Sequence, residues 1–291
     1  MTGPLDIEKL RAYAIPDAHD DYDPRDVILY ALGTGAGLSE DIDETSFLYE
    51  RELQALPTMA LVLGTPGFWP MDPKVGIDWK SLLHGEQRMK LHAPLDTDGV
   101  LIGKQKVTDI ADKGSGKFAM LRVVKELHTA GGTLVAEESA IYIIRGAGGF
   151  GGERAFPGEP LPSVPDSDPD FEVVLPTSRA QAATYRLSGD RNPLHIDPEV
   201  AQGVGFDRPV LHGLSTMGLV GRAIIHATCG GIAANLREIN LRFSAPVYPG
   251  DTIRTQIWQD GENVRFCAFC NRHDRKVIEG GVAKVTPLPG L

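Results

Sequence analysis

The spacing of apolar residues changes along the chain, and the changes mark its elements. Between residues 88 and 144 lie stretches rich in β-branched and other apolar residues, clearest over 119–126 and 139–144, which predict strands. A second set, which alternates, runs over 239–243, 252–258 and 264–269, with a turn at Asp260-Gly261 joining the last two. Two stretches carry other patterns. Residues 26–32 predict a helix that opens on acidic residues and is broken by Gly33, Gly35 and Gly37. Residues 212–226 are apolar almost all round and rich in small side chains, the pattern of a helix buried on most sides. Residues 56–63 form a short apolar run that predicts a buried segment, and 179–187 read as helix or strand. Residues 1 to about 24 are acidic and predict irregular structure.

Around residue 145 the composition shifts. Gly146, Gly148, Gly149, Gly151 and Gly152 are followed by Pro157, Pro160, Pro162, Pro165 and Pro169. Such a run is a connector. It divides the chain into an N-terminal unit, 1–150, a connector, 151–170, and a C-terminal unit, 171–291.

The two units share a pattern. Gln87-Arg88-Met89-Lys90-Leu91-His92-Ala93-Pro94-Leu95 matches Ile239-Asn240-Leu241-Arg242-Phe243-Ser244-Ala245-Pro246-Val247 at an offset of 246 − 94 = 152. Thr58-Met59 matches Thr216-Met217 at 216 − 58 = 158, and Tyr30 aligns with Tyr185 at 185 − 30 = 155. Near-constant offsets in one chain order indicate duplication. Each copy reads as a polar loop, an apolar helix and several strands.

The segment 185–197, Tyr-Arg-Leu-Ser-Gly-Asp-Arg-Asn-Pro-Leu-His-Ile-Asp, concentrates the candidate chemistry. Gly189 permits backbone angles closed to other residues, and Pro193 fixes its own φ while extending Asn192. Asp190 and His195 are thereby held in a stiff loop, and a carboxylate beside an imidazole suits proton transfer near neutral pH. A turn with a hydrogen-bonded histidine is the plainer alternative. The aligned positions of the first copy hold Gly35 and no nearby histidine, so only the second copy can carry this pair. Gly213 sits where the apolar helix should begin, and its N–H could face developing negative charge; close packing is the alternative. Asn192 orients the loop or a water, and Tyr185 offers a hydroxyl or packs. Asp197 reads as a helix cap and His212 as structural.

This segment resembles the signature of the type 2, (R)-specific enoyl-CoA hydratases of the MaoC-like superfamily. His84-Gly85-Glu86-Gln87, Asp112-Lys113-Gly114-Ser115-Gly116, Gly148-Gly149-Phe150-Gly151-Gly152 and Leu211-His212-Gly213-Leu214 extend the resemblance to the hydratase part of peroxisomal multifunctional enzymes. It implies an α+β double hot-dog, each copy an antiparallel sheet wrapped around a central helix. It implies syn hydration of a trans-2-enoyl-CoA to the (3R)-3-hydroxyacyl-CoA without metal or organic cofactor. It further implies His84, Gly85, Lys113 and Phe243 as CoA contacts, Tyr185 as a substrate neighbour, and a homodimer. The first copy, free of catalysis, would shape a tunnel for a long or bulky acyl chain. The rival readings are a dehydratase on a carrier-bound or polycyclic thioester, a non-catalytic acyl-CoA-binding protein, and a thioesterase.

Charge and composition narrow the partners. A formal net charge of −10 over 291 residues argues against nucleic acid and requires a local basic patch for an anionic thioester. Cys229, Cys267 and Cys270 are too few for a disulfide framework, and the C-x-x-C at 267–270 lies in a strand-like run with no second pair. His84, His195 and His212 lack metal-ligand spacing. No apolar run approaches the ~20 residues of a membrane span. Neither Met1-Thr2-Gly3-Pro4 nor Pro289-Gly290-Leu291 reads as an address signal, so a cytoplasmic protein is expected.

Overall fold

The structure, a computed structural model, describes residues 3–286; the terminal motifs at Met1-Thr2 and Pro289-Gly290-Leu291 lie outside the described residues. Ten strands form one antiparallel sheet in the order β1-β3-β4-β5-β2-β7-β10-β9-β8-β6. The first five are β1 (Ala18–Tyr22), β2 (Leu82–Leu91), β3 (Gly99–Asp112), β4 (Ala119–Thr129) and β5 (Leu134–Ile144). The second five are β6 (Phe171–Pro176), β7 (Leu236–Phe243), β8 (Thr252–Asp260), β9 (Asn263–Cys270) and β10 (Arg275–Val285).

The duplication is visible in this order. Read outwards from the centre, β2-β5-β4-β3-β1 on one side mirrors β7-β10-β9-β8-β6 on the other. The halves join where β2 pairs β7, and there Arg88 lies opposite Asn240. Since 240 − 88 = 152, these two residues are each other's repeat equivalents, so the pseudo-twofold axis passes between them. The internal repeat implied the duplication, and the family resemblance implied the double hot-dog architecture.

The helical elements are α1 (Ile7–Ala12), α2 (Pro24–Gly33), α3 (Gln181–Tyr185), α4 (Pro198–Gly203) and α5 (Gly213–Thr228). Asp23 caps α2 in a reciprocal arrangement with Asp26, in keeping with the acidic start expected there. The 16 residues of α5 pack on β6, β7 and β8. Small residues let the first half approach α5 closely: a Cβ on Gly218 would stand 2.4 Å from the Thr34 side chain. The pattern hides one feature. Arg222, in the middle of this apolar helix, is fully buried and binds Glu44 and the Thr34 carbonyl of the first half.

The copies differ where the first should have its central helix. The apolar run there folds as a single 3-10 turn, Pro57–Leu61, not as a helix. Pro57 opens the turn at a position that would also suit an α-helix, and Gly64, at φ +61°, takes the chain out of helical geometry after Leu63. The acidic N-terminus is also more ordered than expected. Its residues form α1 and β1, a polar edge strand whose Asp20 accepts a hydrogen bond from the Gly64 N–H at 2.6 Å. From residue 145 to 170 there is neither helix nor strand.

Candidate active site

The loop 186–197 is built from local hydrogen bonds. Gly189 takes φ +129°, a conformation that favours glycine, and turns the chain into Asp190. The Asp190 carboxylate accepts from the Asn192 N–H at 3.1 Å, and the Asn192 side chain accepts from the Leu194 N–H at 3.0 Å. Pro193 then opens a 3-10 turn, Pro193–His195, that delivers the buried His195. Asp197 closes the loop by capping α4, as its position before Pro198 suggested.

His195 Nδ1 lies 2.8 Å from the Val210 carbonyl. A carbonyl only accepts, so Nδ1 carries the proton and Nε2 keeps its lone pair. Beneath it, His212 stacks ring on ring at 3.7 Å and 28°. His212 Nε2 donates in turn to the Asp190 backbone carbonyl at 3.1 Å. A carboxylate oxygen of Asp190 and a ring nitrogen of each histidine all lie within 4.8 Å of one another. Burial pushes the pKa of His195 below its ordinary value, against the pull of Asp190 and the Val210 bond. Burial, reinforced by His195, drives His212 well below it. Both imidazoles are therefore neutral near pH 7.

Such a triad of donors could be read as a metal site. The stacking argues otherwise: in-plane lone pairs of two face-to-face rings run side by side instead of converging on one ion.

These groups open onto a cavity of about 460 Å³ that both halves line. Asp190, Asn192, His195, Gly213 and Phe243 come from the second half, and His84 and Gly85 from the first. Gly85 lies at a β-bulge, between the pairs His84 with Tyr142 and Glu86 with Ile141, which takes it out of the ladder. His84 binds Gln87 at 3.0 Å and packs its ring on Tyr142 and Phe243. Burial lowers its pKa to about 4, so it too is neutral. Gly213 is the first residue of α5, and a Cβ there would stand 3.2 Å from the Phe243 ring.

Comparison with known proteins gives this geometry a family. Residues 161–280 match the MaoC like domain, and residues 21–146 match the MFE-2 hydratase 2 N-terminal domain. The chain is 45% identical over 240 residues to 3-hydroxyacyl-thioester dehydratase Y of Mycobacterium tuberculosis, covering 81% of each chain. It is 36% identical over 297 residues to the peroxisomal enoyl-CoA hydratase 2 of Arabidopsis thaliana, covering 94% of this chain and 93% of the other. The chain belongs to the MaoC-like family. The crystal structure of a MaoC-like dehydratase from Phytophthora capsici superposes with a TM-score of 0.83 at 35% identity, covering 98% of this chain and all of the other.

Not every residue expected at the site of this MaoC-like protein reaches the cavity. Lys113 does not line it: the ammonium binds the Arg154 carbonyl at the turn after β3. Its motif has a structural role, because the neighbouring Asp112 accepts from the Gly114, Gly149 and Gly151 N–H groups and so clasps two glycine-rich turns together. Those donors hold the Asp112 carboxyl below its usual range. Tyr185 does not line the cavity either. It is fully buried between Tyr30 and His212 and packs, the second of the two roles open to it.

Other residues at the cavity wall escaped the sequence reading, namely Gln87, Gln105, Lys125, Glu138 and Tyr142. A signal existed for two of them. In β4 Lys125 has the phase of Leu121, Val123 and Leu127, and in β5 Glu138 has the phase of Ala136 and Ala140. A charge on the apolar phase of a strand marks a buried polar group.

Proposed function

We propose that this MaoC-like protein is an (R)-specific enoyl-CoA hydratase, adding water to a trans-2-enoyl-CoA to give the (3R)-3-hydroxyacyl-CoA. The observation that carries the reading is the neutral His195, its Nδ1 fixed on Val210, next to the Asp190 carboxylate in a cavity of acyl-chain size. The enoyl-CoA hydratase and thioester dehydratase names of its relatives support it.

Asp190 and His195 grip one water. Nε2 of His195 takes a proton from it as the oxygen adds to C3. Charge collects on the thioester oxygen, within reach of the Gly213 N–H at the start of α5, which has no intrahelical acceptor. The imidazolium then returns the proton to C2 on the same face, giving syn addition. Asp190 orients the water and steadies the imidazolium. Asn192 holds the loop in shape. Each step is a proton transfer that these side chains supply, so the reaction needs no cofactor. Run backwards, it is the dehydration of the 3-hydroxyacyl thioester.

The division of labour follows the proposed domains. Residues 171–291 supply the acid/base pair, 1–150 supply most of the acyl and CoA walls through His84, Gly85 and their neighbours, and 151–170 connect them. With Phe243 these residues make the thioester contacts; Lys113 and Tyr185 do not take part. Acyl-CoA is the partner, with a homodimer as the assembly and a reducing compartment, the cytoplasm, as the setting. Three free buried cysteines fit that setting, and among the described residues no helix is long and apolar enough to cross a membrane. Chiral analysis of the product from trans-2-enoyl-CoA tests the reading: the 3S product, or free thiol, would refute it. Equal measurements on carrier-protein thioesters separate the dehydratase alternative.

The Gly213 role has its own test. Proline is tolerated at the first position of a helix, where it removes the N–H and adds its ring, and His212, at φ −57° and ψ 134°, already has the conformation required before proline. Gly213→Pro should lower kcat by about 10²-fold. Gly213→Ala places the same Cβ against Phe243 but keeps the donor, and should lose far less. Equal losses would assign Gly213 to packing.

The base has a pH signature. Neutral His195 is the working form, so kcat/KM falls as pH drops through its lowered pKa, below the ordinary 6.5. Asp190 raises this pKa, and Asp190→Asn should move it lower still. NMR titration of the His195 ring in both proteins measures the shift; an upward shift would contradict the pairing.

A further inference from the structure

The cavity does not end in a purely apolar wall. On the inner face of the first half, Gln105 of β3 stands opposite Lys125 of β4, and Lys125 stands opposite Glu138 of β5. This polar row lines the same cavity as Asp190 and His195. Glu138 lies four residues along β5 from Tyr142, the neighbour of His84, which separates the row from the thioester contacts by ~13 Å.

Lys125 and Glu138 are 4% and 8% exposed, so both are buried behind the cavity surface. The ammonium is saturated. It reaches the carbonyls of Ala60, Leu61 and Leu63 at 2.9, 3.2 and 2.7 Å and Thr65 Oγ1 at 3.3 Å, tying the 3-10 turn that replaces the first central helix to the sheet. Its three donors are thus engaged, and it has none to offer a ligand. Glu138 is different. Its one ion-pairing partner among the described residues is Lys125, 3.0 Å from Oε1, and that pairing leaves the second oxygen, Oε2, for the cavity. Burial raises its pKa to about 7. A wall that only tied down the turn would need the lysine and its carbonyls. It would not need a carboxyl with a second oxygen left over at the acyl cavity, a group placed to accept from a donor on the ligand.

We propose that the row Gln105–Lys125–Glu138 is a specificity site for acyl-CoA thioesters whose chain carries a hydroxyl group beyond the reacting carbons, the hydroxyl donating to Glu138 and accepting from the Gln105 amide. A carboxylate tail is disfavoured because it would meet Glu138 with no free cation. A ketone can only accept, so it gains from Gln105 alone. An unsubstituted chain leaves Glu138 unsatisfied. The substrate class follows from which donors and acceptors remain free, and it refines the hydratase reading on which it rests.

Calorimetric binding of saturated acyl-CoA thioesters tests this site apart from catalysis, since these do not react. The probes are chains of equal length that are unsubstituted, hydroxylated at successive distal positions, keto-substituted or terminated by a carboxylate. For one hydroxyl position, binding about ten-fold tighter than the unsubstituted chain is expected, with the keto chain falling between the two and the carboxylate chain no tighter than the unsubstituted one. Glu138→Leu should erase the hydroxyl preference, and the milder Glu138→Gln should reduce it several-fold. A uniform weakening of every chain in the variants, with the preference intact, would reduce the row to a structural staple and overturn the proposal. So would a wild-type protein indifferent to the hydroxyl at every position, or one preferring the ketone. If the preference holds while no enoyl-CoA is hydrated, this site stands and the hydratase reading falls.

Discussion

Asp190→Asn and His195→Gln should each slow hydration of trans-2-enoyl-CoA by about 10³-fold or more, with the double variant no slower than the worse single. Both substitutions keep the size of the side chain. Asn at 190 can still accept from the Asn192 N–H, so the loop survives while the charge that orients the water and steadies the imidazolium is gone. Gln at 195 can still donate to the Val210 carbonyl but offers no basic nitrogen. The two groups act on one water, so removing either disables both, and their effects cannot add. Steady-state rates, with thermal unfolding as the control for folding, decide this. A loss below ten-fold in either variant would mean that the proton moves elsewhere.

Arg222→Met should destabilise the fold by about 3–5 kcal/mol, the largest effect expected away from the active site. The guanidinium donates through two nitrogens to both Glu44 oxygens and through a third to the Thr34 carbonyl, with His226 and the Gly37 N–H completing the Glu44 carboxylate. Removing the arginine leaves a buried carboxylate uncompensated. Arg222→Met combined with Glu44→Leu should therefore cost much less than the sum of the single changes. Burial alone would raise the Glu44 pKa, but His226, Arg222 and the Gly37 N–H hold it below its ordinary value. A depressed carboxylate pKa stabilises the fold above the unfolded value near 4.5 and loses that contribution as pH falls below it. Urea unfolding of the four proteins at neutral pH and at acidic pH well below the ordinary carboxylate value measures both effects. Additive costs would show that the pair is not coupled.

Much of this was legible in the sequence because it rests on local rules. The alternation of strands, the internal offset of 152 and the Gly-Asp-x-Asn-Pro loop are period-two patterns, duplication and turn chemistry, and all act over short stretches. The Arg88–Asn240 axis follows directly from that offset. Long-range pairing was harder to read. Arg222 reads as one polar position in an apolar helix, and only the fold reveals that Glu44, 178 residues away, neutralises it. β1 was missed because an edge strand of His19, Asp20 and Asp21 carries no apolar alternation, and β10 because Gly280 and Gly281 interrupt its pattern. At the site, Lys113 was expected as a CoA contact from the family resemblance, whereas a lone lysine in a glycine-rich turn reads by itself as solvated surface. The carboxylate of Asp112 shows what those glycines do, which is to present N–H groups to an internal clasp. The missing first helix was invisible for a related reason: an apolar run of eight residues fits a helix turn and a 3-10 turn equally well, and a proline at its start suits either.

The most direct test of the central claim is the ultraviolet absorbance of a trans-2-enoyl-CoA series, from short to bulky chains, mixed with the unmodified protein while free thiol is followed in parallel. The account predicts loss of the conjugated enoyl band with free thiol unchanged. Appearance of free thiol would mean thioester cleavage, and an unchanged band despite measurable binding would mean that the cavity holds acyl-CoA without acting on it; either result would contradict hydration by Asp190 and His195.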